Sequence, residues 1–373
     1  MSLNKKDLSI KTLMGPGPTN LHKRVRDALS KETISHLDPE FFDVLNSISS
    51  LLRVVFQTNN KVTFAVSGTG SSGMEMTMAN VVEEKDKILI LKCGEFGNRM
   101  SDSASRYGAN VTEMEIAWGE SFDQLKVIEK IKAIKDLKAV ALVHAETSTG
   151  VLQDIEIIGE YLKNTDILFI VDAVTSLAGV QLKVDEWGID ICYSGTQKCL
   201  SVPPGLSPIT FSEKSLSIIK KRKNKVSSWY FDLSLLVNYW GEDRVYHHTA
   251  PVNMLFALNE GLKLCCEEGL ANRFARHADN SEHFDLKLKE LGLASFVNLD
   301  KYKALPMLKS VIIPDGIADL QLRKDLLSNE MIEIGGGLGP TKGKIWRIGI
   351  MGFNSKKALI DKFFNKFKLY LNQ

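Results

Sequence analysis

Between residues 62 and 211 short apolar runs alternate with amphipathic stretches, and this alternation restricts the possible folds more than any other feature of the sequence. The runs cover 62–66, 88–91, 139–143, 167–171, 189–193 and 207–211. Each is the length of a strand, and most lack the polar alternation of a strand with one wet face, so they are expected to be buried on both sides. Stretches such as 71–82 and 155–163 lie between them and read as amphipathic helices. Repeated βα units of this kind predict an α/β fold with a largely parallel sheet covered by helices. A long helix is expected over 252–268, with Gly269 as its C-cap. The pattern then changes to a helix (272–291), a strand (308–313), a helix (320–328), a strand (346–350) and a last helix (356–371). At about 100–200 residues per domain, 373 residues suit two domains. The expected division is an N-terminal arm (1–13), a large α/β domain (14–270) and a smaller C-terminal α+β domain (271–373).

Charge excludes several classes of partner. The net charge is +2, from 47 basic and 45 acidic residues, so no overall field favours nucleic acid or a membrane surface. The local run Lys220-Lys221-Arg222-Lys223-Asn224-Lys225 has no interleaved aromatics and reads as a solvated helix end. Cys93, Cys192, Cys199, Cys265 and Cys266 form no C-x-x-C pair and no metal-ligand spacing, which suits reduced packing residues and no metal. Residues 1–12 lack an apolar signal segment, no apolar run is long enough to span a bilayer, and Leu371-Asn372-Gln373 is not a peroxisomal address. A soluble, cytoplasmic protein is expected.

Open parallel sheets bind ligands beyond the carboxyl ends of their strands. Small and polar residues follow four of the runs: Ser67-Gly68-Thr69-Gly70-Ser71-Ser72-Gly73, His144-Ala145-Glu146-Thr147-Ser148-Thr149-Gly150, Asp172, and Ser194-Gly195-Thr196-Gln197-Lys198. One active site accounts for all of them. The glycine segment follows a strand and opens a helix, where backbone N–H groups and the helix dipole can hold a phosphate. It also matches the dinucleotide pattern G-x-G-x-x-G, but the next strand ends in Leu91-Lys92-Cys93 instead of the acidic residue that reading needs. A plain Gly/Ser turn is the bland alternative. Asp172 closes a fully apolar strand, where a carboxylate needs a cationic partner such as a protonated pyridine nitrogen; the alternative is a helix N-cap. Lys198 lies among small and apolar residues, a setting that lowers a lysine pKa and suits it to act as nucleophile and base.

Val171-Asp172-Ala173-Val174, Ser194 to Leu200, and Pro203-Pro204-Gly205 resemble the class V, fold type I aminotransferases, in particular the alanine–glyoxylate/serine–pyruvate group. The likeness runs from Gly15-Pro16-Gly17-Pro18 through Ala145 to Gly150 and Tyr246-His247-His248-Thr249 to Gly343-Lys344-Ile345-Trp346-Arg347-Ile348-Gly349. It implies a mostly parallel sheet of the seven-stranded type and pyridoxal 5'-phosphate (PLP) as cofactor. Lys198 would carry PLP as a Schiff base and move the substrate proton, and Asp172 would keep the ring nitrogen protonated. Phe96 matches the aromatic position that stacks on the ring, where the family often has Trp, and Thr147 a hydroxyl position beside it. Thr69, Gly70, Ser71 and Gln197 match phosphate contacts. Tyr246 and Thr249 match residues that reach the neighbouring subunit's phosphate, so a homodimer with shared active sites is implied. Gly15 and Arg347 match substrate-binding positions, Arg347 holding the α-carboxylate.

The expected reaction moves the amino group of a small amino acid, alanine or serine, to glyoxylate or pyruvate. The ureidoglycine–glyoxylate aminotransferases are the competing branch. Val184-Asp185-Glu186-Trp187 and Tyr230-Phe231-Asp232-Leu233-Ser234 resemble it too, but it has Asn in place of Tyr246 and Gln in place of His36. A cysteine desulfurase would have His directly before its lysine, where this chain has Gln197. An NAD-dependent dehydrogenase and a catalytically silent PLP-binding protein are the readings outside this class.

Overall fold

The computed structural model describes residues 9–371, so residues 1–8 of the expected arm and the final Asn372-Gln373 lie outside the described residues. Seven strands build the main sheet: β1 (Val62–Ser67), β2 (Lys87–Lys92), β3 (Asn110–Glu115), β4 (Leu137–Val143), β5 (Leu168–Asp172), β6 (Ile191–Tyr193) and β7 (Leu206–Phe211). Their order is β1-β7-β6-β5-β4-β2-β3. Only β7 runs antiparallel, pairing with β1 on one side and β6 on the other. The expected α/β class and mostly parallel sheet are what the chain adopts. Six strands lie where the apolar runs predict them. β3 was not foreseen, because Asn110-Val111-Thr112-Glu113-Met114-Glu115 is an edge strand whose polar side chains face solvent.

Period-two geometry explains the unbroken apolar runs. Along β5, Phe169 and Val171 join the core on one face, while Leu168 and Ile170 join the core on the other. Helices Pro39–Phe56 and Val252–Glu268 pack over the first face. Helices Gly70–Val81 and Glu95–Arg106 cover the second. Pro39–Phe56 was not among the expected elements, although its signals are plain. Asp38 caps it by accepting from the Glu40 N–H, Pro39 opens it, and Phe41, Leu45, Ile48, Leu52 and Val55 form its buried face.

Gly269, at φ +80°, ends helix Val252–Glu268 by donating its N–H to Cys265 and Cys266, and helix Leu270–Glu290 starts beside it. The rest of the chain adds strands β8 (Leu308–Ile312), β9 (Gly335–Gly336) and β10 (Ile345–Gly349) in an antiparallel sheet. It has its own core, including Phe284, Trp346, Phe363 and Phe367. The start of the chain joins this part: Thr12–Leu13 pairs in parallel with Ile332–Glu333, and Met14 is fully buried in the same core. Gly15-Pro16-Gly17-Pro18 then leads across to Lys198.

The basic run is a helix end, as its composition suggested. Lys220 closes helix Glu213–Lys220, and the Arg222 guanidinium donates to the Asn80 and Val82 carbonyls. The five cysteines are unpaired, four of them buried. Among the described residues no helix is long and apolar enough to cross a membrane, and no group of three His, Cys, Asp or Glu could hold a metal ion.

Candidate active site

A cavity of about 100 Å³ opens at the carboxyl ends of β1, β4, β5 and β6. Thr69, Gly70 and Ser71 enter it from the start of a helix, Phe96 from the start of another. Thr147, Asp172, Gln197 and Lys198 complete the eight expected residues that line it. Ala145, from the small-residue segment after β4, lines it too, and so do Met74, Val143, Val174 and Thr175, which were not foreseen. Most are apolar wall residues, which sequence does not distinguish from core.

Asp172 is the last residue of β5, and its Oδ1 accepts the Val174 N–H at 2.8 Å. No side-chain cation hydrogen-bonds it among the described residues. Burial therefore pushes its carboxyl up to about 7. Lys198 follows the turn after β6, which is braced by the Thr196 hydroxyl donating to the Pro203 carbonyl at 2.6 Å. The Lys198 amine donates to the Pro16 carbonyl. Burial, reinforced by the positive charge of Arg347, lowers its pKa to about 8. A glycine is needed over this amine: Gly17 has φ +106°, and a Cβ there would stand 2.9 Å from Lys198 Cδ. At the other wall Thr69 is the N-cap of helix Gly70–Val81 but makes no side-chain capping bond, so first-turn N–H groups remain available. The Gln197 side chain has a buried amide atom, assigned as Oε1, without a hydrogen-bond partner.

Arg347 lies at the margin, on β10. Its Nε donates to the Gly336 carbonyl at 2.7 Å and its Nη1 to the Thr147 carbonyl at 3.2 Å. Nη2 has no protein partner among the described residues. Burial brings its pKa down to about 10, so it stays charged at neutral pH. Gly15 does not line the cavity; its N–H donates to Glu333 Oε2 at 3.1 Å, against the same strand as Arg347. Tyr246 and Thr249 are exposed and do not line the cavity of their own chain either. The Tyr246 ring lies 5.3 Å from that of His36.

These residues fit PLP. A buried carboxylate without a cation suits a protonated ring nitrogen, an amine of lowered pKa suits an aldehyde, and an uncapped helix N-terminus beside an unpartnered amide suits a phosphate. Comparison with known proteins agrees: residues 13–353 match the sequence model of the family described as Aminotransferase class-V. The chain belongs to the class V aminotransferases. Among curated members, the (S)-ureidoglycine–glyoxylate transaminase of Bacillus subtilis (strain 168) is 42% identical over 366 residues, 93% of this chain and 87% of that one. The alanine–glyoxylate aminotransferase of Rattus norvegicus is 40% identical, over 96% of this chain and 87% of its own. Among solved structures, an alanine–glyoxylate aminotransferase from Nostoc sp. superposes with a TM-score of 0.96 at 44% identity, covering 100% of this chain and 98% of that one. Membership in this family makes the chain a transaminase and sets aside the dehydrogenase reading.

Proposed function

We propose that the protein is a PLP-dependent aminotransferase that moves the amino group of alanine or serine to glyoxylate or pyruvate. The observation that carries this reading is one cavity containing Lys198, Asp172 and an open helix N-terminus, with Arg347 held at its rim. When bound, PLP supplies an aldehyde carbon and a protonated ring that draws electrons from the substrate Cα. Thr69, Gly70, Ser71 and Gln197 would hold its phosphate, and Phe96 its ring face. The Asp172 carboxylate would keep the ring nitrogen protonated by pairing with it. Arg347, with Nη2 free, binds the substrate α-carboxylate and so turns the Cα–H bond toward Lys198. Lys198 Nζ, with a pKa near 8, would serve as the base that takes that proton and as the acid that returns it.

The proposal extends to a homodimer in which Tyr246 and Thr249 serve the other subunit, supported by their exposure away from their own cavity. It also extends to a division between the two domains at residues 270/271, supported by the helix break at Gly269. The unpaired cysteines support a reducing, cytoplasmic compartment. Ureidoglycine is the second candidate donor, because the Bacillus subtilis relative that acts on it is as similar as the alanine enzymes. Alanine is preferred because His36 and Tyr246, where that branch has Gln and Asn, form a contact pair here. The test is glycine formation from glyoxylate with alanine, serine or ureidoglycine as donor, for the PLP-loaded parent and for Lys198→Ala. Alanine or serine turnover that vanishes in Lys198→Ala is expected. Turnover confined to ureidoglycine transfers the enzyme to the other branch, and borohydride labelling of a different lysine overturns the assignment.

A further inference from the structure

Helix Glu95–Arg106, which carries Phe96 into the cavity, starts at Gly94, and a glycine has no side chain with which to cap it. Its first N–H groups are nevertheless satisfied, by a loop about fifty residues further along the chain. Glu95 N–H donates to Ser148 Oγ at 2.9 Å, and Phe96 N–H to Glu146 Oε2 at 3.2 Å. The other carboxylate oxygen of Glu146 accepts from the Ser148 N–H at 2.9 Å and the Ser148 hydroxyl at 2.6 Å. Glu146 and Ser148 are both fully buried. The approach is so close that a Cβ on Gly94 would come within 2.6 Å of the Glu146 carboxyl carbon.

Thr147 lies between the two capping residues. Its side chain lines the cavity and its carbonyl receives Arg347 Nη1. Three consecutive residues thus tie the ring-facing helix to the substrate arginine. We propose that Glu146 is a positioning residue, which with Ser148 caps helix Glu95–Arg106 from across the site and keeps Phe96 and Arg347 in register. A buried carboxylate is costly unless several donors satisfy it, and here the donors are the backbone of the site itself. Capping is a property of the chain alone; its consequence for catalysis rests on the function proposed above.

The test uses Ser148→Ala and Glu146→Gln. Ser148→Ala removes the acceptor of the Glu95 N–H, and Glu146→Gln turns one of the two acceptor oxygens into a donor, so that the Phe96 N–H and the Ser148 donors can no longer all be satisfied. Losing an N-cap of about 1 kcal/mol corresponds to a roughly fivefold or greater increase in local opening. In the cofactor-free protein, deuterium exchange of the peptide spanning residues 93–99 should quicken by that factor, while the peptide over Leu168–Asp172 should not change. In the loaded enzyme the KM for alanine should rise, the PLP dissociation constant should increase, and the visible absorbance band of bound PLP should shift or broaden. Unaltered exchange at 93–99 in Ser148→Ala overturns the proposal, whether or not Glu146→Gln folds. Faster exchange with unaltered KM, PLP affinity and spectrum also overturns it, because the cap would then be structural only. If the parent takes up no PLP while the exchange still responds, the cap stands and the proposed function fails.

Discussion

Arg347 Nη1 donates to the carbonyl oxygen of Thr147 at 3.2 Å, a bond that joins β10 to a loop 200 residues away in sequence. With Nε held by the Gly336 carbonyl, the guanidinium plane is fixed from two sides before a substrate arrives. Lysine keeps the charge but cannot make both anchors and still present a second donor. At about 1.5–3 kcal/mol for a hydrogen bond to a charged group, Arg347→Lys should raise the KM for alanine roughly 10–150-fold. Steady-state kinetics in which KM stays at the parent value would put the substrate carboxylate elsewhere.

Gly17→Ala separates crowding of the lysine from backbone strain. The new Cβ meets the Lys198 stem at 2.9 Å, in addition to the strain of φ +106°. Gly316, at φ +87° with nothing within 4 Å of a Cβ, supplies the control. Both alanine variants should lose about 1–3 kcal/mol of stability in denaturant unfolding. Only Gly17→Ala should lose transamination and reaction of Lys198 with PLP. Equal activities for the two variants would mean that the Lys198 stem has room to move.

The strands around the site were readable because β4 and β5 are covered on both faces, which forces an apolar run and leaves the first polar residue to mark its end. Asp172 and the turn to Lys198 stood out for that reason. β3 did not, since an edge strand keeps polar side chains on its solvent side and still pairs through its backbone. Glu146 was visible as part of a motif, but its capping role was not, because the N–H groups it satisfies are fifty residues away. Gly15 was tied to the substrate by resemblance alone, and its bond to Glu333 depends on the chain start packing against the C-terminal core. A contact across 318 residues leaves no trace in local spacing.

The proposed dimer has its own test. Tyr246 is 57% exposed and Trp229 62%, with Tyr230 and Val245 nearby in sequence and also exposed. So much aromatic surface suits an interface. Sedimentation velocity should show a dimer, and Tyr246→Ala should weaken PLP binding in it. A monomer with full activity would refute the shared site.

Asp172→Asn has effects of opposite sign with and without the cofactor. In the cofactor-free protein the Asp172 carboxyl is raised from 3.8 to about 7 by burial, so between those values the folded state binds the proton that the unfolded chain has lost. Stability from this group is therefore present at low pH and falls as pH climbs from about 4 to 7, by up to about 1.4 kcal/mol per unit. Lys198, lowered from 10.5 to about 8, acts the other way at higher pH, and stability recovers as pH rises from 8 toward 10.5. Asparagine cannot ionise, and its Oδ1 can still accept the Val174 N–H. The cofactor-free variant should accordingly melt above the parent at pH 8 and close to it at pH 4. With PLP and alanine the order reverses. Without the carboxylate the ring nitrogen would lose the partner that keeps it protonated, and losing that positive charge opposite the developing carbanion costs about 3–4 kcal/mol by analogy with an oxyanion donor, a fall of roughly a hundredfold or more in the single-turnover rate. The visible absorbance of the cofactor reports that rate directly. A variant that reacts within a few-fold of the parent and melts lower at every pH would make Asp172 a cap, and the ring nitrogen would have to lie elsewhere.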